Sequence, residues 1–258
     1  MGGTEVEGVI KRQDWRKLVI PAQRICPLTS PTTLDYPVAM STQDLTWREA
    51  APGIWQRDID EIEKSYTALI RQYAGSGRME FAITGHVTVI VPVENDFSAG
   101  TASRLEDALR AAWLWLRNDS PTIASRAFFD KHLGKPQKRY ETIPDETLRS
   151  TWLQRTFKTI LCVQTSAEWA NFDPLALKEA ILFIVEPPVT NPGHIQRDLI
   201  LRSPHNIIDG IGTLTLFKNL LSHLSRLISS LSPVGLPPLS RAETGLLSPP
   251  CRIAANIP

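Results

Sequence analysis

Apolar and polar positions change period several times along the chain, and each change marks an element. From Asp58 onward Ile59, Ile62, Tyr66, Leu69, Ile70 and Tyr73 recur at helical spacing, and Gly75-Ser76-Gly77 ends that helix. Phe81 to Val91 then alternates, with Ile83, Val87, Val89 and Val91 on one face and Thr84, His86, Thr88 and Ile90 on the other, which predicts a strand. Ser103-Arg104-Leu105-Glu106 has the form of a capping box, before a helix that turns Leu105, Leu109, Ala112, Trp113 and Leu116 inward. Trp113 and Trp115 are two apart and cannot share a face, so one packs inward and the other lies at the rim. Strands are predicted at Phe157 to Val163 and Ala180 to Val185, the second almost wholly apolar, as in a strand covered on both faces. The strongest helical stripe is Leu214, Phe217, Leu220, Leu221, Leu224, Leu227 and Ile228, while His223, between Ser222 and Ser225, reads as exposed.

Other stretches lack a period. Prolines interrupt the first forty residues, where Lys17 to Ile20 suggests a short strand or an anchoring segment. Trp47 and Trp55 read as packing anchors, and Lys131 to Glu146 as a connection without a core pattern. Beyond Leu231 six prolines exclude a long helix and suggest a linker or loosely attached segment. The expected organisation is an irregular segment over 1–46, a lobe over 47–230 and a proline-rich tail or truncated crossover over 231–258.

The organising stretch is Leu199 to Gly212. Leu199 to Leu201 suits a buried strand, Ser203-Pro204 stops it, and Gly210 and Gly212 permit a tight backbone before the next helix. His205 therefore belongs at the mouth of a strand. A neutral imidazole there can take a proton from an attacking hydroxyl, amine or thiol and return it. Asp209 either contacts His205, or turns away, pairs with an arginine and braces the loop; an aspartate before a helix is also a common cap. Gly210 suggests close backbone packing at that point. His194 follows Asn191-Pro192-Gly193, a strong turn signal, and reads as a loop residue.

Composition narrows the alternatives. In 258 residues, 42% are hydrophobic and the formal charge is +1, which suits a globular protein with a real core and offers no electrostatic footprint for nucleic acid or an acidic membrane. No apolar run reaches membrane-spanning length and the first fourteen residues lack a signal-peptide core, so the expected location is cytoplasmic. Cys26, Cys162 and Cys251 are odd in number and widely spaced, and form neither a disulfide framework nor a metal motif; no metal site is expected. Lys135, Lys138 and Arg139 offer either a phosphate-attracting run or a solvated face, and Asp58 with Glu61 reads as helix surface. Phosphate-loop, Gly-x-Ser-x-Gly and His-Glu-x-x-His words are missing.

His205-Asn206-Ile207-Ile208-Asp209-Gly210, flanked by Leu201-Arg202-Ser203-Pro204 and Ile211-Gly212-Thr213-Leu214, resembles the HxxxDG motif of the CoA-dependent acyltransferase superfamily, including chloramphenicol acetyltransferase and peptide-synthetase condensation domains. Ala108 to Arg117 with Ser120 to Ala124 is similar to a helix and loop of fungal acetyltransferases of the trichothecene kind, and the likeness runs from about Trp47 to Ser229. The resemblance implies an α/β fold, a single chloramphenicol-acetyltransferase-like lobe with a mixed sheet and packed helices. It implies His205 as general base, Asp209 as a structural aspartate of the catalytic motif, acyl-CoA as co-substrate with no bound cofactor, and a small-molecule acceptor, a fungal secondary metabolite. If the alternating strand lines the channel between lobes, His86 is a candidate substrate contact. Family members have a second lobe and an Asp-Phe-Gly-Trp-Gly-like word; neither follows here. That departure keeps a second reading open: a half-length relative that binds, docks a partner or acts by shape on a reactive substrate, with self-association or a second-lobe partner expected.

Overall fold

The computed structural model describes residues 45–73, 82–93, 98–161, 165–171, 177–187, 193–230 and 235–256. Lys17 to Ile20, Gly75 to Gly77, Cys26 and Cys162 lie outside them. The described strands form two four-stranded sheets. The first is ordered β3 (Ala82–Pro92), β8 (His194–Pro204), β7 (Ile181–Glu186), β6 (Phe157–Leu161). It is mixed, because β6 and β7 run parallel while the other pairs are antiparallel. Register places Val87, Leu199 and Ile184 in one row and Gly85, Leu201 and Leu182 in the next. Helices α2 (Ser98–Asp119) and α5 (Gly210–Ser229) pack side by side and share one apolar cluster with these rows, and α3 (Glu146–Thr156) and α4 (Ser166–Asn171) come between them in the chain. A side chain at Gly85 would meet Phe217 and Thr213 at 2.5 Å, so its bare backbone lets α5 lie directly on β3.

The second sheet, β1 (Arg48–Ala51), β2 (Ile54–Asp58), β5 (Lys135–Glu141), β4 (Arg126–Asp130), is antiparallel throughout. The architecture is α/β with a mixed sheet, as expected, and this additional sheet was not anticipated. The 131–146 stretch contains the return strand of a hairpin, and Arg57, Asp58, Gln137 and Lys138 are buried. Arg57 makes a two-pronged pair with Glu63 at 2.6 and 2.7 Å, and Lys138 Nζ donates to the same carboxylate at 2.8 Å. Asp58 accepts from Lys135 at 2.6 Å and Gln137 at 2.9 Å. The basic run is thus neither a phosphate site nor a solvated face at Lys138, and Asp58 is not helix surface.

Several boundaries move for local reasons. Helix α2 starts at Ser98, so Ser103 to Glu106 is helix interior and not a cap. Strand β8 includes His194, paired opposite Pro92, and continues through Ser203-Pro204. Pro204 is tolerated because the ladder to β7 ends at Arg202, leaving only the β3 side paired. His223 is mostly covered, its ring stacked near Trp115 and its Nε2 2.9 Å from Asp119. The segment from Gly235 to Asn256, expected to be loose, is docked: Trp115 and Arg149 donate to the carbonyls of Gly235 and Pro237 at 3.0 and 2.7 Å. Glu243 is buried against Tyr140, and short helix α6 (Cys251–Ala254) follows.

Candidate active site

Helix α1 (Glu61–Gln72) begins at Asp60, whose carboxylate accepts from Glu63 N at 2.8 Å while the Glu63 carboxylate accepts from Asp60 N at 3.3 Å. This reciprocal cap fixes the first turn of the helix. Glu63 is also the hub of the buried charges. Burial pushes its carboxyl up, but Lys138 and Arg57 outweigh that and hold it down at about 2. Burial likewise lowers the Lys138 ammonium, against which Glu63 acts. The ammonium also donates to the carbonyl of Asn206 at 2.8 Å, and the Asn206 amide donates to Thr67 Oγ1 at 2.9 Å. The residue following His205 is therefore tied to β5 and to α1.

His205 is the first residue after β8, in a turn closed by Ile207 N donating to the carbonyl of Pro204 at 3.0 Å. Its ring lies flat on that of Tyr66, with centroids 4.0 Å apart and planes 6° apart. Nδ1 is buried and has no hydrogen-bond partner among the described residues. The imidazole lines a cavity of about 570 Å³, within the range of ~300–1,000 Å³ common for small-molecule sites. Ile62 and Tyr66 of α1, Ile211 and Thr215 of α5, and Pro249 and Cys251 of the C-terminal segment contribute to its walls. Burial raises the Cys251 thiol, which keeps it in the neutral form.

Asp209 lines the same cavity, and its carboxylate accepts from Gly212 N at 2.6 Å, capping α5. Gly210 does not mark a close approach, since a side chain there would meet open space. The tight position is Gly212, where an added carbon would lie 3.0 Å from Asp209 Oδ1 and 3.1 Å from Ile208. His86 is placed elsewhere and is not among the residues lining this cavity. Its Nε2 lies 3.2 Å from Ser166 Oγ and 3.8 Å from Asp198 on the other face of the mixed sheet. Burial of Asp198 opposes ionisation, but Thr88, Ser166 and Gln196 outweigh it and hold the carboxyl below the usual range.

Sequence reasoning placed Tyr66 on the inward stripe of α1 without relating it to His205. It missed the Lys138 to Asn206 tie, because nothing local signals that a lysine 68 residues earlier turns inward. The proximity of Cys251 was equally invisible in a segment whose prolines suggested a linker.

Comparison with solved structures gives a trichothecene 15-O-acetyltransferase, TRI3 from Fusarium sporotrichioides, at a TM-score of 0.63 and 16% identity, covering 82% of this chain and 43% of that one. The chain shares its fold with part of that acetyltransferase. This chain spans less than half the length of the acetyltransferase it matches. The starter condensation domain of rhizomide synthetase RzmA (TM-score 0.47, 14% identity, 69% of this chain and 41% of that one) and a chloramphenicol acetyltransferase (0.36, 14%, 66% and 97%) are more distant in shape. No protein-family model and no curated protein sequence matches the chain.

Proposed function

We propose that the chain carries the base-bearing site of a CoA-dependent acyltransferase acting on a hydroxyl or amine of a small secondary metabolite. The observation that carries this reading is His205, held at the end of β8 against Tyr66 and facing a cavity large enough for a small acceptor. In the proposed reaction His205 takes the proton from the acceptor hydroxyl as its oxygen attacks the thioester carbonyl of the acyl donor. Collapse of the tetrahedral intermediate expels the CoA thiolate, which takes the proton back from His205, so the imidazole ends as it began. Tyr66 and the Asn206 anchor keep the ring in one orientation, and Asp209 acts through the loop by fixing the start of α5. Acyl-CoA is a co-substrate in this scheme, and no bound cofactor enters it. No described helix is long and apolar enough to cross a membrane.

The test is acetyl-CoA-dependent thiol release by the purified chain over a panel of fungal terpenoid and aromatic alcohols. A positioned general base contributes about 10²–10⁴-fold, so His205→Ala should lose at least a hundredfold in kcat. Tyr66→Ala should lose about tenfold, since an aromatic stack is worth ~0.5–1.5 kcal/mol. Full activity in His205→Ala overturns the assignment of the base. Absence of any stabilisation of the wild-type chain by millimolar acetyl-CoA overturns the assignment of the donor, because a ligand bound only to the folded state raises Tm.

A further inference from the structure

A second cavity, of about 550 Å³, opens between α1, the β4/β5 hairpin and the loop before β7, separate from the His205 cavity except for the shared wall residue Asn206. Its floor is apolar, formed by Ile70, Phe129, Pro136 and Leu177. Its charged groups have one sign: four basic side chains line it, beside the neutral Thr67 and Asn206, and no aspartate or glutamate does. Arg126 is paired with Glu141 at 2.6 Å. The other three form no close ion pair with a carboxylate of the described residues, although Arg139 acts at longer range on Asp130. Arg71 lies over the Phe129 ring at 5.5 Å, Arg139 lies over Phe128 at 4.3 Å and is held by the neutral amide of Gln56, and Lys178 is exposed at the rim. A ring beneath a guanidinium orients its edge, and in Arg139, whose Nε and one Nη2 hydrogen are taken by the Gln56 oxygen, the N–H groups that remain can donate.

We propose that this cavity binds an anionic amphiphile, a molecule with a medium-length apolar body and a carboxylate or phosphate head held by Arg71, Arg139 and Lys178. An uncharged apolar ligand covers the apolar lining but leaves the three cations at the cavity wall without a counter-charge. A cationic one adds to their repulsion. An anionic head relieves it, and the planar fork of arginine matches both candidate heads. The site stands apart from the acyl-transfer chemistry, since His205 is not among its lining residues.

The test uses the whole chain and four ten-carbon probes, decanoate, decyl phosphate, decanol and decyltrimethylammonium, followed by isothermal titration calorimetry. Decanoate or decyl phosphate should bind at one site at least tenfold more tightly than decanol, with decyltrimethylammonium weakest; the stronger of the two anions identifies the head group. The double substitution Arg71→Gln/Lys178→Gln, both at exposed positions, should weaken the anion tenfold or more and leave decanol unchanged. His205→Ala should leave anion binding intact, so failure of the acyltransferase reading and failure of this one are separable. Equal affinity for decanol and the anions, or anion binding that ignores the double substitution, overturns the proposal.

Discussion

Strand β8 buries Leu199, Ile200 and Leu201 in the mixed sheet, whereas β2 and β5 bury Arg57, Asp58, Gln137 and Lys138 in the antiparallel one. The first arrangement is held by area removed from water and is nearly indifferent to small shifts in direction. The second depends on direction: Glu63 must face two cations at once, and Lys138 must reach the carbonyl of Asn206 as well. One sheet supplies the strand that ends in His205, and the other supplies the anchor that stops the His205 loop from moving. Positioning of the His205 loop is thus assigned to polar contacts, and bulk cohesion to apolar ones.

Removing the hub should give the largest effect. Glu63→Ala leaves Arg57 and Lys138 buried without their shared partner, and breaking such a pair costs about 3–5 kcal/mol. Urea unfolding should show it as a lowered midpoint at unchanged m-value. The triple change Arg57→Met/Glu63→Leu/Lys138→Met should cost less than Glu63→Ala alone, because no charge is then left unpaired. It should still lower the rate of acyl transfer, since Asn206 loses its tether. A triple variant with wild-type activity would show that the polar sheet does not position the loop.

The same hub makes a pH prediction. The Glu63 carboxyl is held at about 2 in the folded protein, below its ordinary value of 4.5. A depressed carboxyl stabilises the fold fully above its unfolded value, and that contribution is lost as pH falls from about 4.5 toward 2. The unfolding midpoint should therefore drop across this window in the wild type. It should drop less in Glu63→Gln, which starts lower and has no Glu63 proton to take up.

On the apolar side, Gly85→Ala should cost about 1–3 kcal/mol, the usual penalty for overfilling a packed contact, because the new carbon meets Phe217 and Thr213. Phe217→Leu in the same chain should recover part of the loss. This pair tests whether the close approach of α5 to β3, and no other feature of Gly85, sets the helix position.

The contrast between sheets also explains what could be read without coordinates. Alternation at Ile83, Val87, Val89 and Val91 and the stripe from Phe217 to Ile228 both report an apolar face and became β3 and α5, although Leu214, read into the same stripe, is exposed and Leu216 is buried in its place. The β2 and β5 strands bury residues that a hydropathy pattern assigns to solvent, so Lys135 to Glu141 looked like a connection. Nothing in the local composition says that Lys138 meets a glutamate 75 residues earlier in the chain. Near the cavity, the end of β8 places His205 in a turn as its neighbours suggested, and Asp209 caps α5 as an aspartate before a helix commonly does. Gly210 and Gly212, in contrast, lie inside the first turn of that helix and do not precede it. The stacking of Tyr66 required knowing that α1 lies against the turn after β8, which spacing along one element does not contain.

Asp209 is the smallest test and separates two roles that its position in the motif leaves together. Its carboxylate accepts from Gly212 N at 2.6 Å, while Thr213 Oγ1 donates to its carbonyl at 2.8 Å. Asp209→Ala should cost about 1 kcal/mol through loss of the cap alone. Asparagine caps nearly as well as aspartate, so Asp209→Asn should keep the unfolding midpoint close to wild type. If the side chain acts only by fixing the α5 start, Asp209→Asn should also keep the rate of acyl transfer within about twofold of the wild type, in proportion to the preserved cap. A loss of a hundredfold in rate with unchanged stability would require the negative charge itself near His205, and would move Asp209 from the scaffold into the chemistry.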